Sequence, residues 1–286
     1  MMVVAASMCW SSSGIFINHI TWKSGLSAVG LAFWRDLITS IVLFFGLVIL
    51  KPKLLRIKLK DLPWLIGMGV ISIGIFHIFW VKAVVMLGAS LATVVQCNAP
   101  IFVTIMAWVL FREHLTSRKI SAVILAAAGT ILVSGINNTG DWKIVPAGLL
   151  IGLGSAITYG TLSLFGKKLS GDYNAWTIMF YIFSIASLTL FVVQLGKPEP
   201  FPIQSGVLLD YSVFVLFSTI AGFGLYTMAL RILPASVAAI TATTEILFAS
   251  ILAFIFLNER MDLWQILGAA LIISGVMLVS LTPNHQ

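Results

Sequence analysis

The sequence predicts an all-α integral membrane protein whose ten transmembrane helices form two inverted five-helix repeats. The first observation is composition: 59% of the 286 residues are hydrophobic and 9% are charged, against about 25% charged in soluble domains. The second is a series of ten apolar runs of about twenty residues, the length that spans a membrane as a helix. The third is an internal repeat that relates the two halves of the chain.

The apolar runs fall into two sets of five, separated by short polar turns. The first set lies near residues 2–20, 28–50, 62–82, 88–111 and 117–137, and the second near residues 146–166, 173–195, 207–228, 234–257 and 262–281. Several turns contain the Gly, Pro or Asn that ends helices. We therefore expect two five-helix domains, residues 1–138 and residues 146–282.

An alignment without gaps supports the duplication. Residues 228–280, shifted back by 146 positions, fall on residues 82–134 with 15 identities in 53 positions. Glu113 coincides with Glu259 in this alignment, and we expect both to cap or pair near helix ends rather than to bind the solute. An odd number of helices per repeat inverts the second copy relative to the first, an arrangement that places a solute site at the repeat interface near the membrane midplane.

Lys and Arg predict the orientation in the membrane. The densest basic run, residues 51–60, contains five of them. Because cytoplasmic loops are enriched in Lys and Arg, we expect this loop and both termini in the cytoplasm. That choice leaves eleven Lys or Arg inside against five outside. The expected location is the plasma membrane, which in bacteria is the inner membrane.

Several classes of function are disfavoured by the residues. The formal charge of +7 is spread over the turns and forms no single patch, so we expect no nucleic acid partner. We find no phosphate-binding glycine loop, no clustered metal ligands and no soluble domain, so we expect no enzyme, cofactor or metal. The expected partners are a small-molecule solute and the lipid bilayer, and the choice between monomer and homodimer is left open.

Glu245 is the first candidate site residue. It lies eleven residues after Pro234, which at about 1.5 Å per residue places it near the bilayer centre. An acidic residue at that depth costs about 3 kcal/mol on insertion scales. We expect it to bind an amine or a proton, with hydrogen bonding of a protonated Glu to a neighbouring helix as the structural alternative. Thr241 lies one turn earlier on the same face.

Gln96 and Asn98 lie midway along the fourth predicted helix. They are two residues apart, about 200° around a helix, and cannot face the same cavity. Glu245 coincides with Ala99 in the alignment, and Gln96 lies one turn from Ala99 on the same side, so Gln96 is the better cavity candidate. Asn98 is the second candidate, with interhelical hydrogen bonding as its alternative. Pro100 removes a backbone hydrogen bond and predicts a kink or hinge.

Aromatic residues are abundant within the apolar runs. The deeper ones that we take as candidate cavity residues are Trp10, Trp34, Trp80, Tyr159, Tyr181 and Tyr226. The same shift of 146 positions also places Trp80 on Tyr226, just before the aligned stretch, and Ser13 shares a helix face with Trp10. Aromatic rings around a carboxylate suit an amphipathic or cationic solute through stacking and cation–π contact, and ordinary packing is the alternative.

Three further ionisable residues lie within apolar runs. Arg35 and Asp36 are about two turns into the second helix. They either neutralise each other, or Arg35 binds the carboxylate of a substrate. His77 lies in the middle of the third helix and either relays protons or packs through a hydrogen bond.

Three local sequences carry a family resemblance. They are Phe33-Trp34-Arg35, Asn98-Ala99-Pro100 followed by AWVLFREHL, and Glu245 followed by AFIFLNERM. With them, the chain resembles ten-helix members of the drug/metabolite transporter superfamily, of the EamA-domain type, over essentially its whole length. The resemblance implies small-molecule transport, often export of metabolites or amino acids. Ile246 stands where the family often keeps a proline, so the resemblance leaves open whether the second copy has a kink there.

We therefore expect a secondary transporter that moves small metabolites, foremost amino acids or related compounds, by alternating access, in the direction of export. The alternative within transport is uptake of a cationic solute such as choline, favoured by Glu245 among aromatic residues. From another class, the protein is a non-transporting membrane subunit or an intramembrane enzyme, for which His77 is the only obvious second catalytic group. The substrate, the direction and the role of protons are left open.

Overall fold

The computed structural model describes residues 1–87, 98–133, 146–202, 205–257 and 263–280, together with residues 92, 95 and 96. These residues form helices and their connections, and no β-strand occurs among them. The predicted all-α class is therefore confirmed.

The helices lie in the predicted apolar runs. In the first half they are α1 (Met2–Ser11), α2 (Ser13–Ser24), α3 (Ala28–Leu50), α4 (Leu62–Gly67), α5 (Phe76–Leu87), α6 (Ala99–Phe111) and α7 (Ser117–Val133). In the second half they are α8 (Pro146–Ser170), α9 (Ala175–Gln194), α10 (Ser205–Val213), α11 (Gly222–Ile232), α12 (Ala235–Ala242), α13 (Thr244–Leu257) and α14 (Leu263–Ser280). Two short 3₁₀ helices, Pro52–Leu55 and Leu59–Asp61, lie in the basic loop.

Five continuous helical stretches are long and apolar enough to cross a membrane. They are Ala28–Leu50, Leu59–Val84, Ala147–Ser170, Ala175–Gln194 and Gly206–Ile232. Shorter apolar helices accompany them, because several predicted spans are interrupted. The chain is therefore a membrane protein with at least five spans of full length.

The two halves of the chain interlock. α1 packs against α11, α12 and α13 of the second half, and α8 packs against α5 and α6 of the first half. The second predicted helix of each half also pairs with its counterpart, α3 with α9, and the last helices pair as α7 with α14. Each half therefore buries its first helix in the other half.

The largest apolar core lies where α1, α8, α9 and α11 meet. Its fully or almost fully buried members include Trp10, Leu162, Phe183 and Tyr226. Many large apolar residues on the outward faces of the helices are exposed, among them Phe45 in α3, Leu188 in α9 and Leu216 between α10 and α11. In a membrane protein such faces contact the lipid chains. The helices are therefore apolar both on the faces that pack inside the protein and on the faces that meet lipid.

Two helical stretches change from α-helical to π-helical hydrogen bonding within their apolar runs. The first π-segment is Met68–Ile75 and joins α4 to α5, and the second is Phe214–Ala221 and joins α10 to α11. Both are eight residues long, and they are separated by the same shift of 146 positions that aligns the repeat. The duplication therefore extends to a local distortion of the backbone that no apolar pattern predicts.

Each π-segment also carries a serine that binds the other half. Ser72 Oγ lies 2.6 Å from Thr161 Oγ1 of α8. Ser218, which is the residue 146 positions later, lies 2.6 Å from Ser12 Oγ, between α1 and α2. Hydroxyl hydrogen bonds of this kind hold membrane helices together where lipid supplies no hydrophobic drive between them.

The end of α6 turns sharply at a residue with a left-handed backbone. Arg112 has a φ of 54°, the conformation that commonly follows the last helical residue. It lets the Glu113 N–H reach back to the Ala107 carbonyl oxygen at 3.3 Å. This turn directs the Glu113 side chain away from its own helix and towards the second half.

Glu113 caps the start of α12. One carboxylate oxygen accepts the Ala235 N–H at 2.9 Å, and the other accepts the Ser236 hydroxyl and lies 3.0 Å from Lys119 Nζ. A carboxylate here satisfies a backbone N–H that has no partner within its helix and complements the helix dipole. The prediction that Glu113 caps or pairs at a helix end is confirmed. Glu259, its counterpart in the repeat, lies outside the described residues.

We predict that Gly69→Ala lowers the thermal stability of the protein. A Cβ atom at Gly69 in the first π-segment would lie 2.7 Å from Ile185 Cβ and 3.0 Å from the Ile182 carbonyl oxygen of α9. Overpacking of this kind costs about 1–3 kcal/mol. Size-exclusion chromatography after heating measures the loss. Gly46→Ala in α3 is the matched control, because nothing lies within 4 Å of its added Cβ; equal stability of the two variants would contradict the close crossing.

We also predict that Glu113→Ala destabilises the protein by about 1–2 kcal/mol, the usual cost of losing a helix cap. The same heating assay applies. Asp172→Ala is the control, because the Asp172 carboxylate is 56% exposed and lies 3.5 Å from Lys58 Nζ, and exposed pairs contribute about 0–1 kcal/mol. A larger effect at Asp172 than at Glu113 would argue against the cap.

Candidate functional site

The first helix is interrupted at the level of the candidate site. α1 ends at Ser11 and α2 begins at Ser13. The Ser12 hydroxyl donates to the Cys9 carbonyl oxygen at 2.7 Å, and back-bonding by Ser and Thr bends helices. The predicted run 2–20 is therefore two helices, and Ser13 is the first residue of the second, one turn beyond Trp10.

The ninth predicted helix is interrupted at Thr243, between α12 and α13. Three hydroxyls bind carbonyl oxygens of the preceding turn, at 2.7–2.9 Å: those of Thr241, Thr243 and Thr244. The backbone tightens at the same place, where the Ile246 N–H lies 3.2 Å from the Thr243 carbonyl oxygen. This helix lacks the proline that the family often has after the glutamate. The threonines interrupt the helix instead, because their hydroxyls bind backbone carbonyl oxygens.

The fourth predicted helix has a corresponding interruption at Asn98. Its Nδ2 donates to the Val95 carbonyl oxygen at 2.9 Å, within the same chain segment. α6 begins at Ala99 with Pro100 in its first turn, where a missing N–H costs little. The break lies within one position of the Thr243 break after the 146-residue shift. Asn98 is therefore engaged in shaping the backbone, by a bond within its own segment.

Glu245 lies in the first turn of α13, directly after the Thr243 break. Its side chain is partly exposed, whereas both neighbours, Thr244 and Ile246, are buried. Among the described residues its carboxylate has no hydrogen-bond or ion-pair partner. A carboxyl group in the middle of a membrane protein without a protein partner is a candidate for binding a solute or a proton.

The Glu245 turn lies close to α1. Ser7 Oγ donates to the Ala242 carbonyl oxygen at 3.2 Å, and this bond ties α1 to the end of α12. Glu245 is three residues after Ala242, and Trp10 is three residues after Ser7. Since three residues rise about 4.5 Å along a helix, both side chains begin within about one turn of this bond.

Trp10 is the centre of a group of rings that we call the aromatic cluster: Trp10, Tyr159, Phe223 and Tyr226. The Trp10 ring centroid lies 6.0, 5.1 and 5.0 Å from those of the other three. Gly222 leaves room for it, since a Cβ there would lie 2.7 Å from the indole. Tyr226 Oη lies 2.6 Å from Ser163 Oγ. Three of the predicted aromatic residues are thus brought together by helices of both halves.

Phe76 extends the aromatic cluster towards α5. Its ring lies 5.2 Å from Tyr159 and 6.4 Å from Trp80, measured between centroids. It also lies 5.2 Å from the ring of His77, the next residue. Two more predicted site residues, Trp80 and His77, are therefore connected to the cluster through a phenylalanine that the sequence analysis did not single out.

Several buried polar atoms have no partner among the described residues. They are Trp10 Nε1, Gln96 Oε1 and Thr104 Oγ1. All three side chains are more than nine-tenths buried. A buried donor or acceptor without a partner costs about 1–3 kcal/mol, so these atoms are candidates for binding a solute or a water molecule.

Arg35, Asp36 and His77 form a second buried group, which we call the charged cluster. Their exposed fractions are 6%, 0% and 2%. His77 Nδ1 lies 2.9 Å from Asp36 Oδ2, and Arg35 Nε lies 3.3 Å from Asp36 Oδ1. Arg35 Nη2 contacts both imidazole nitrogens, with Nδ1 at 2.7 Å. The guanidinium also lies 5.3 Å from the centroid of the Phe214 ring in the second π-segment.

Two predicted site residues lie apart from both clusters. Trp34 Nε1 donates to the Glu199 carbonyl oxygen at 3.0 Å, in the loop between α9 and α10. Tyr181 donates its hydroxyl to the Leu55 carbonyl oxygen at 2.7 Å, in the basic loop after α3. Their aromatic character alone did not distinguish them from Trp10 and Tyr226, because both kinds of residue lie well inside apolar runs.

The sequence predicts that Arg35 and Asp36 interact, but it gives no link between this pair and His77. Nothing in the pattern links them, since Asp36 and His77 are 41 positions apart on different helices. The sequence shows only that each is a rare ionisable residue inside an apolar run. Such residues usually pair with another polar group, but the pattern does not indicate which one. Within the described chain, no three His, Cys, Asp or Glu side chains are grouped to hold a metal ion.

Comparison with known proteins identifies the family. The model of the EamA-like transporter family matches residues 1–135 and residues 146–281. An uncharacterized transporter of Archaeoglobus fulgidus is 26% identical over 257 residues, which are 89% of each chain. YicL of Salmonella typhimurium, an uncharacterized inner membrane transporter, is 24% identical over 288 residues, covering 99% of this chain and 95% of YicL.

The fold is also found among solved structures. One crystal structure of a protein with 16% sequence identity matches with a TM-score of 0.80, covering 98% of this chain and 95% of that chain. At this identity the likeness shows the fold alone, whereas the family model covers nearly all of the sequence. The protein therefore belongs to the EamA-like transporter family, within the drug/metabolite transporter superfamily, and is a membrane transporter of small molecules.

Proposed function

We propose that the protein is a secondary carrier that moves amino acids or related small metabolites by alternating access. Two inverted five-helix repeats, residues 1–138 and residues 146–282, would move against each other around a site at their interface. Export is the direction that the family resemblance implies. The main support for the solute class is the Glu245 carboxyl group, which has no partner within the described chain and follows by three residues the point where α12 is tied to α1, the helix that carries Trp10.

Three observations support the two-repeat arrangement. The π-segments, Met68–Ile75 and Phe214–Ala221, are related by the 146-residue shift. Ser72 and Ser218, at equivalent positions within them, each bind a hydroxyl of the other half. Each half also packs its first helix against the third and fourth helices of the other. Interlocked repeats around a midplane site are the usual architecture of secondary transporters.

The proposed orientation places both termini in the cytoplasm and the protein in the inner membrane. Its support is the excess of Lys and Arg on one side, centred on residues 51–60. The similar protein YicL is named as an inner membrane transporter. With this orientation Glu113 and the α12 cap lie near the cytoplasmic face, where they hold the two halves together.

An amino acid carries one group suited to Glu245 and one suited to the charged cluster, and would contact them one at a time, because the rings of Tyr159 and Phe76 lie between Trp10 and His77. Its ammonium group suits Glu245, and its carboxylate suits Arg35, whose guanidinium presents donors only. A side chain or aliphatic stem packs against Trp10 and the rings around it. Broken helices such as α12–α13 are typical of transporter sites, because backbone groups and side chains near the break contact the solute.

The second candidate is uptake of a cationic solute such as choline. The specific observation in its favour is the aromatic cluster, in which three rings surround the Trp10 indole at 5.0–6.0 Å. Aromatic faces attract quaternary ammonium groups. Choline has no carboxylate, so this function would leave Arg35 without a role in binding.

We predict that Glu245→Gln lowers saturable solute flux at least about tenfold. The reason is that the variant loses one charge-assisted hydrogen bond to the solute, which is worth about 1.5–3 kcal/mol. The measurement is flux into proteoliposomes with a mixed panel of radiolabelled amino acids and quaternary amines. Size-exclusion chromatography checks that the variant folds. Asp172→Asn, an exposed carboxylate in the loop before α9, is the matched control and should transport normally.

The panel separates the candidate functions. Flux of amino acids supports the metabolite carrier, and flux confined to quaternary amines supports the choline-type alternative. Undiminished flux in the Glu245→Gln variant would remove this residue from the site. Absence of any flux from correctly folded wild-type protein would overturn the proposed solute classes.

A further inference from the structure

The charged cluster is built around one imidazole ring, which has the Asp36 carboxylate at Nδ1 and the Arg35 guanidinium close to both nitrogens, 2.7 Å from Nδ1. His77 Nδ1 lies 2.9 Å from the carboxylate oxygen Oδ2 of Asp36, which accepts hydrogen bonds. Arg35 Nη2, which only donates them, contacts Nε2. Of the two neutral forms of the ring, the one with its proton on Nδ1 fits these neighbours better, since Nδ1–H donates to Asp36 and the Nε2 lone pair accepts from Arg35 Nη2, whereas a proton on Nε2 would leave no donor for Asp36.

A second proton on His77 changes this arrangement at one atom. When Nε2 is protonated it becomes a donor, and it then faces another donor, the Arg35 guanidinium. The bond from Nδ1–H to Asp36 is retained and gains charge assistance. The imidazolium and the guanidinium repel each other, because both are cations and both are nine-tenths buried or more. The guanidinium therefore loses its partner on the ring and has free N–H donors.

We propose that Asp36 and His77 form a proton-binding site, and that protonation of His77 Nε2 releases Arg35 to bind the carboxylate of a transported solute. No covalent bond forms or breaks apart from the N–H bond to the bound proton. The inference rests on the proposed transport of carboxylate-bearing metabolites. It adds the ion that is coupled to transport and the residue that links the ion to the solute.

Among the described residues, few other ionisable groups lie near His77 that could respond to its protonation. α3 contributes Asp36 and Arg35, the charged groups in contact with the ring. α8, the other helix packed along α5, contributes Tyr159, which lies against Phe76. The first π-segment, Met68–Ile75, carries no ionisable side chain. On α5 itself, Lys82 is exposed and more than one turn away.

The charged cluster is confined to one half of a duplicated scaffold. The positions equivalent to Arg35, Asp36 and His77 after the 146-residue shift are Tyr181, Ile182 and Phe223. If the fold itself required charged residues at this helix crossing, both halves would have them. The second half has uncharged residues at all three positions. The buried charges of the first half are therefore an addition to the scaffold.

The proposal determines the sign of the coupling. If protonation of His77 favours binding of a carboxylate, then binding of the carboxylate favours protonation by the same factor. Proton and solute then cross together in one direction. A cell whose interior is more alkaline than its surroundings would accumulate the solute. The coupling therefore favours uptake under such a gradient, opposite to the export direction that the resemblance implies.

The first test is amino-acid flux into proteoliposomes under a pH gradient. With the outside more acidic by about one unit, wild-type protein should accumulate a carboxylate-bearing solute up to about tenfold for one-to-one coupling. The ratio of flux with the gradient to flux without it should fall to about one in H77Q and D36N, whatever their basal flux. His19→Gln is the matched control, because His19 Nδ1 lies 3.2 Å from Asp210 but its side chain is 46% exposed.

A second test does not depend on transport. In an H19Q/H114Q/H285Q variant labelled with ¹⁵N-histidine, His77 gives the only imidazole signals. NMR should show a neutral ring with its proton on Nδ1 at high pH and a doubly protonated ring at low pH. D36N should displace this titration by about one pH unit or more.

The outcomes separate the two proposals. Wild-type flux that ignores the gradient, or that falls when the outside is acidic, overturns the proton coupling and leaves the carrier function standing. A ring that carries its neutral proton on Nε2, or that does not titrate between about pH 4 and pH 9, overturns the proton site. Titration of His77 in a protein without amino-acid flux would keep the proton site and overturn the solute.

Discussion

The need to satisfy every backbone hydrogen bond inside a membrane governs this structure. Lipid offers no donors or acceptors, so a helix can be interrupted at that depth only where other groups replace the missing bonds. Ser12, Asn98 and Thr243 lie at three interruptions, and each side chain binds a carbonyl oxygen three residues earlier. The candidate site lies beside these breaks because polar side chains and irregular backbone can coexist there.

The π-segments meet the same requirement by a different hydrogen-bond spacing. Both occur at equivalent positions in the two halves, and both present a serine to the opposite half. Short π-helical stretches often accompany functional sites, because the extra residue per turn shifts side chains relative to a regular helix. Here the shift occurs immediately before Phe76 and His77 in one half, and before Gly222 and Phe223 in the other.

Against this duplicated scaffold, the ionisable groups are distributed unequally. Glu245 has Ala99 as its counterpart, and His77 has Phe223. A chain of rings connects Trp10 to the charged cluster, since Tyr159 contacts both Trp10 and Phe76, and Phe76 contacts His77. α1, which carries Trp10, is itself tied to the end of α12, three residues before Glu245.

The sequence by itself determined the membrane class, the helical runs and the duplication, because lipid selects long apolar segments and a gap-free repeat preserves their spacing. It also determined that Glu113 acts at a helix end. Tertiary structure alone decided that Trp10 and Tyr226 meet while Tyr181 lies beside the basic loop, and that Asp36 binds His77. Apolar patterns record the depth of a residue in the membrane, whereas its partner depends on how the helices cross, which is set by close packing of both halves.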